Sequence, residues 1–122
     1  MAKDNAPDIL DRSYPARQVL DLIGNKWTPI IIYCLSKGAR RFGELQRQLP
    51  DISKKMLIQA LRRLEQDGLV HREVYHVVPP KTEYGLTELG QRVHEPIAML
   101  CEWAMTHQDE LQAVELHRSR AS

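Results

Sequence analysis

The sequence predicts a mainly α-helical domain with one small β-hairpin, an α+β fold. Three observations predict it. Apolar residues recur at the helical spacing of about 3.6 in a series of separate segments. The period falls to two between Leu69 and Leu86, around a Val77-Val78-Pro79-Pro80-Lys81 stretch whose prolines exclude helix. The 122 residues, 43% hydrophobic and 27% charged, suit one ordinary globular domain with one core.

The elements follow in order. Residues 1–14 are polar, contain Pro7, and are expected to form an N-terminal arm of low intrinsic order. Pro15 opens a helix, because its missing N–H is no loss in the first turn. Val19, Leu20, Leu22 and Ile23 form its apolar stripe, and Gly24-Asn25 ends it. Trp27 begins the next helix, Pro29 is tolerated early in it, Ile30 to Leu35 is its buried length, and Gly38 closes it. Cys34, inside that apolar run, reads as a small core residue. Arg40-Arg41-Phe42 is a short extended piece leading into a helix with Phe42, Leu45 and Leu49 on one face, stopped by Pro50.

Next comes PDISKKMLIQALRRLEQDGLVHR, Pro50 to Arg72. Ser53 is suited to cap a helix N-terminus and Gly68 to take the left-handed position after its C-terminus. Leu57, Ala60, Leu61 and Leu64 share one face. Lys55, Gln59, Arg62 and Gln66 share the opposite one, with Lys54 and Arg63 at its margins. Phe42 to Gly68 is therefore helix, short turn, helix. Leu69 to His76 then alternates as a strand, with Val70, Arg72, Val74 and His76 on one side. Thr82 to Leu86 returns, making a hairpin wing. Thr87 caps a last helical region lined by Leu89, Val93, Ile97, Leu100, Cys101 and Ala104. Pro96 is expected to kink or divide it, and the tail from Leu116 to fray. The expected organisation is an arm at 1–14, a winged helix-turn-helix domain at 15–115 and a frayed tail at 116–122.

Charge is unevenly distributed. The formal net charge is +1. Lys and Arg outnumber Asp and Glu 5 to 4 over residues 1–39 and 9 to 5 over 40–82, but are outnumbered 3 to 7 over 83–122. A basic middle and an acidic end fit a local polyanion-binding surface on a nearly neutral protein. Two cysteines far apart, Cys34 and Cys101, make no disulfide framework or CxxC motif, so a reduced, cytoplasmic setting is expected. The apolar runs are far too short for a membrane span, and MAKDNAPDIL lacks a signal-peptide core. His71, His76, His94, His107 and His117 have no convincing metal spacing, and there is no P-loop, GxGxxG or Ser-His-Asp context. No enzyme, cofactor or metal is expected.

Several segments resemble the HxlR-type family of bacterial transcription regulators, a MarR-like group: DLIGNKW at Asp21–Trp27, RRFGELQRQLPDISKKML at Arg40–Leu57, LRRLEQDGLVHREVYHVVPPKTEYGLTELG at Leu61–Gly90, and CEWA at Cys101–Ala104. The resemblance spans roughly Pro15 to Ala104. It implies a winged helix-turn-helix homodimer, joined through its N- and C-terminal helices, on pseudo-palindromic operator DNA. Redox-responsive members carry a cysteine just ahead of a proline near the N-terminus. Here that place reads Ser13-Tyr14-Pro15, so the usual thiol switch is not expected.

The residues themselves assign roles within that frame. Phosphate contacts supply affinity and base-edge contacts supply sequence choice. Lys54, Lys55, Gln59, Arg62 and Arg63 are expected on the face that enters the major groove, where Arg chelates guanine and Gln pairs with adenine. Ser53 offers a hydroxyl or backbone amide to phosphate. Arg40 and Arg41 are expected to grip the backbone, and Lys81 to reach from the wing toward the minor groove. Leu89, Val93, Ile97, Leu100, Trp103 and Ala104 make a stripe too long for one small core and are the expected dimer interface. An effector, if the protein has one, is expected near Trp27, Tyr14, Trp103 and Met99. The alternative is a winged helix used for protein–protein contact, a role that does not call for a donor-rich outer helix face.

Overall fold

The computed structural model describes residues 10–121. The order is α1 (Pro15–Ile23), α2 (Trp27–Leu35), β1 (Arg40–Arg41), α3 (Phe42–Gln48), α4 (Lys54–Gln66), β2 (Val70–Tyr75), β3 (Lys81–Leu86), α5 (Glu88–Thr106) and α6 (Gln108–Ala121). Most of the arm expected at 1–14, and Ser122, lie outside the described residues. Residues 10–14 form a turn into α1, in which the Asp11 carboxylate accepts from the Ser13 amide at 2.9 Å and the Ser13 hydroxyl at 2.8 Å.

The core is built on α2, which packs against α1, α3, α4, α5 and β3. Its fully apolar run supplies Ile31, Ile32 and Leu35, all buried. Leu45 and Leu49 enter from α3 and its end, and Ile52 from the following turn. Leu57, Leu61 and Leu64 come from α4, Leu69, Val70 and Leu86 from the root of the wing, and Ile97 from α5. Burying each such side chain contributes about 1.5–3 kcal/mol. In α1 only Leu22 and Ile23 reach this core; Val19 and Leu20 stay exposed. The sheet is antiparallel in the order β1-β3-β2, with Arg40 opposite Tyr84 and a six-pair β2–β3 register from Val70–Leu86 to Tyr75–Lys81.

One small corner holds three elements together. Gly68 adopts φ +76°, a left-handed conformation that glycine takes without a Cβ clash, and turns the chain out of α4. The Thr87 hydroxyl donates to the Gly68 carbonyl at 2.6 Å and accepts from the Gly90 amide at 3.0 Å, capping α5. The Thr87 amide donates to the Leu69 carbonyl at 3.1 Å. Gly90 lies so close to that carbonyl that a Cβ there would collide with it. The end of α4, the root of the wing and the start of α5 thus have one shared geometry.

Two expectations for the C-terminal region are corrected. Pro96 does not divide the last helical region: α5 runs through it to Thr106. The division falls at His107, whose amide turns back to the Trp103 and Ala104 carbonyls at 3.0 and 3.2 Å. The stretch from Leu116 is helical rather than irregular, as α6 continues to Ala121. It contains no Gly or Pro, begins with Asp109 and Glu110 and ends with Arg118 and Arg120, which matches the helix dipole at both ends. Yet α6 contributes no buried residue.

Replacing Thr87 by Val keeps its shape and removes both hydroxyl interactions. It is expected to destabilise the fold by about 1–3 kcal/mol, the combined scale of a lost helix cap and an unpaired carbonyl. Urea denaturation followed by circular dichroism measures this.

Candidate nucleic-acid interface

The outer face of α4 is the most cationic helical surface of the protein. Ser53 caps it, its hydroxyl accepting from the Met56 amide at 3.1 Å. The buried Leu57, Leu61 and Leu64 fix the helix rotation, so Lys54, Lys55, Gln59 and Arg62 face solvent. With Ile58 these four line one shallow concavity. No acidic residue occupies the first turn. Lys54 and Lys55 therefore sit at the positive end of the helix dipole, where cations are unfavourable and anions are bound. None of Lys54, Lys55 and Arg62 has an ion pair among the described residues. Departures from local stability rules of this kind concentrate at functional sites.

The other expected contacts are placed differently from one another. Arg63 lies at the edge of the face, 3.7 Å from Asp67, and lines a cleft with Gln18, Asp21, Leu22, Asn25 and Thr28 on the α1–α2 side. Arg40 is half-buried on the edge strand and its guanidinium donates to the Ala39 carbonyl at 3.1 Å. Arg41 is exposed; its amide donates to the Glu44 carboxylate at 2.8 Å, which holds that carboxyl below its ordinary range and fixes the start of α3. Lys81 is not at the wing tip. It begins β3, directly opposite Tyr75, with its ammonium 5.2 Å from the centre of that ring. Beside it the Tyr75 phenol is pushed up chiefly by the charge of Glu83, then by burial, by its hydrogen bond to Glu83 and by Glu73.

A continuous surface leads from α4 to the wing. Ile58, Arg62 and Gln66 line one concavity together with Glu65, Arg72 and Tyr84. Arg72 lies 3.5 Å from Glu65, an ion pair across the corner between helix and wing. Ile58 was not among the expected site residues; an apolar side chain in the middle of a polar helix face is the sequence signal for it.

The α5 stripe separates into two sets. Ile97 is only 3% exposed and Val93 packs against the core, so Ile97 offers no surface to a partner and leaves the expected interface set. Leu89, Leu100 and Trp103 are exposed and Ala104 is half-buried. Met99 and Met105 on α5, Leu111, Val114 and Leu116 on α6, and Val19 and Leu20 on α1 are also uncovered. Trp103 stacks on His107 at 4.1 Å between ring centres. Leu111 and Val114 stand three residues apart on α6. Among the positions expected to bear an effector, Trp27 is buried and lines a cleft with Asn25 and α4; Tyr14, Met99 and Trp103 stand outside that cleft. Cys101 is exposed rather than packed inside the protomer, and Cys34 is half-buried. Burial pushes the Cys34 thiol up, against a smaller opposing effect of Arg40.

Among the described residues no group of His, Cys, Asp and Glu is arranged to hold a metal ion, and no helix is long and apolar enough to cross a membrane. The helix-turn-helix of α3 and α4, followed by the β2–β3 hairpin, defines a winged helix-turn-helix protein. The HxlR-like helix-turn-helix family matches residues 22–112, and the chain belongs to that family. It is 46% identical over 99 residues to the HTH-type transcriptional regulator YybR of Bacillus subtilis, covering 81% of this chain and 79% of that one. It is 42% identical over 105 residues to the HTH-type transcriptional regulator YtfH of Escherichia coli, covering 86% and 83%. Among solved structures, the redox regulator HypR in its reduced form superposes with a TM-score of 0.77 at 45% identity, over 81% of this chain and 98% of that one.

A raised thiol pKa and partial burial make Cys34 a poor nucleophile. Its alkylation by iodoacetamide at neutral pH, followed by peptide mass spectrometry, is expected to be at least about tenfold slower in the native protein than in urea, because the unfolded thiol returns to its ordinary pKa and full access.

Proposed function

We propose that this protein is a sequence-specific, double-stranded-DNA-binding transcription regulator acting as a homodimer on a pseudo-palindromic operator. The observation that carries the reading is the outer face of α4. Lys54, Lys55 and Arg62 have no ion pair among the described residues and stand beside Gln59 on a helix anchored by three buried leucines. Lys54 and Lys55 oppose the helix dipole, and none of the three has a carboxylate partner among the described residues, so a polyanion is what they fit. In this reading α4 enters the major groove. Ser53 and the free amides of the first turn meet a phosphate, Arg62 and Gln59 reach base edges, and Lys54, Lys55 and Arg41 neutralise backbone charge. Arg40 contributes less, since its guanidinium is already engaged with the Ala39 carbonyl. Arg63, paired with Asp67, contributes less than Arg62.

A homodimer is supported by α6 and the exposed stripe of α5. A 14-residue helix with no buried side chain is marginal alone in water and needs a surface to pack on. Leu100, Trp103, Leu111 and Val114, with Val19 and Leu20 of α1, supply matching apolar area. Two copies of α4 would then read half-sites about one helical turn, ~34 Å, apart. Light scattering at micromolar concentration is expected to give about twice the 14.1 kDa of the chain, and Trp103→Glu to shift the mass toward the monomer. A native protein that stays monomeric would rule out the dimer.

DNA binding is tested with a fluorescein-labelled duplex that the native protein enriches from a random-sequence pool. A Lys55→Ala, Arg62→Ala double variant is expected to fold normally and bind about a hundredfold more weakly. The slope of log K against log salt should fall by about one for each phosphate contact removed. Undiminished binding with an unchanged slope would show that this face does not meet DNA.

A further inference from the structure

Ile58 is an apolar residue in the middle of the cationic face of α4. The core of the described residues, and the half-buried apolar side chains packed on it, do not include it. Its surroundings on the helix are polar: Lys54 stands four residues before it, Arg62 four residues after, and Lys55 and Gln59 beside it. Residues four apart lie one above another on a helix, separated by about 6 Å along its axis. Local stability does not account for an isoleucine at this place. Its β-branched side chain forms helix less readily than Lys, Gln or Arg, and it remains half-exposed outside the core. Two shallow concavities meet here. One runs toward the start of α4, past Lys54, Lys55 and Gln59. The other runs toward the wing, past Glu65, Gln66, Arg72 and Tyr84. Ile58 and Arg62 are the two residues that line both.

We propose that Ile58 is a base-reading residue that packs on the C5 methyl group of a thymine and so specifies one base pair in each half-site. This rests on the DNA-binding reading, which brings the face around Ile58 against the base edges. Among the groups by which the major groove distinguishes the bases, the thymine methyl is the apolar one; guanine, adenine and cytosine present donors and acceptors. An isoleucine set against an amino or carbonyl group displaces its water and returns no hydrogen bond, which is unfavourable. Against thymine it buries methyl on methyl. The same side chain therefore selects thymine and disfavours the other three bases. Arg62 and Gln59 read by hydrogen bonds, whereas Ile58 reads by the absence of any. The lysines beside it supply the attraction to phosphate that holds so small an apolar contact in place. Arg62 follows one turn later, and ~6 Å of helix spans about two base-pair steps of about 3.4 Å. The thymine and the base that Arg62 reads accordingly lie within about two base pairs of each other.

The test uses the full-length protein and the duplex it enriches from a random-sequence pool, titrated by anisotropy over a range of salt. Thymines are replaced by deoxyuridine, one symmetry-related pair at a time. The replacement removes the methyl and leaves every hydrogen-bonding group of the base in place. For the native protein one such pair is expected to weaken binding about tenfold, the effect of one methyl in each half-site. Ile58→Ala is expected to bind the unmodified duplex more weakly and to be indifferent to that replacement, while Ile58→Val keeps the sensitivity. Because no phosphate contact is lost, the salt slope of both variants should stay that of the native protein. If no thymine pair is sensitive in the native protein, or if Ile58→Ala remains as sensitive as the native protein, the thymine contact is overturned and the DNA-binding reading stands. A flattened slope in Ile58→Ala would also overturn it. If the native protein enriches no duplex, the DNA-binding reading fails, and the thymine contact with it. Ile58 lies outside the core, so unchanged circular dichroism is expected for both variants.

Discussion

The corner at Gly68 and Leu69 is the constraint on which the rest of the molecule depends. There α4 ends, the wing begins and α5 is capped, through a single threonine whose hydroxyl donates to the Gly68 carbonyl and accepts from the Gly90 amide while its own amide donates to the Leu69 carbonyl. The close approach of Gly90 to the Leu69 carbonyl leaves no room for a side chain. The angle between α4 and the wing is consequently not a loop's choice. It is set by backbone hydrogen bonds and steric contact and is braced from the other side by the Arg72–Glu65 pair. Two elements proposed to meet one duplex would gain from this kind of rigidity, because the entropy of aligning them is lost in folding rather than at binding.

Much of this was legible in the sequence. Ser53, Thr87 and Gly68 announced helix ends through their own chemistry, and each behaves as its side chain, or lack of one, requires. The cationic face of α4 was legible because leucine spacing fixes the rotation of a helix and so fixes what points away. The C-terminal region was harder to read. Proline is a strong local signal for a break, but the chain continues through Pro96 and turns at His107, where no residue type marks a stop. Ile97 belongs to the same periodic stripe as Leu100 and Trp103. Only the packing of α5 on α2 separates the residue buried within the protomer from those left outside.

Electrostatics divides the protein along its length. The basic stretch is concentrated on β1 and α4, the wing between them and the acidic C-terminal helices is neutral, and the net charge nearly cancels. Within the basic part, pairing sorts the arginines further: Arg63 and Arg72 are matched by Asp67 and Glu65, and Arg62 is not. Counting cations would make these three equivalent, whereas their partners divide them between holding the fold and facing outward.

The bare surface of α6 has a thermodynamic consequence. In the proposed homodimer, a helix with no buried side chain of its own would be stable only to the extent that a second copy is present, so the folding of this segment and association would become one equilibrium. The melting temperature of such a dimer would rise with its own concentration. The fraction of complete molecules would then vary more steeply than the amount of protein made, a nonlinearity supplied by one uncovered helix.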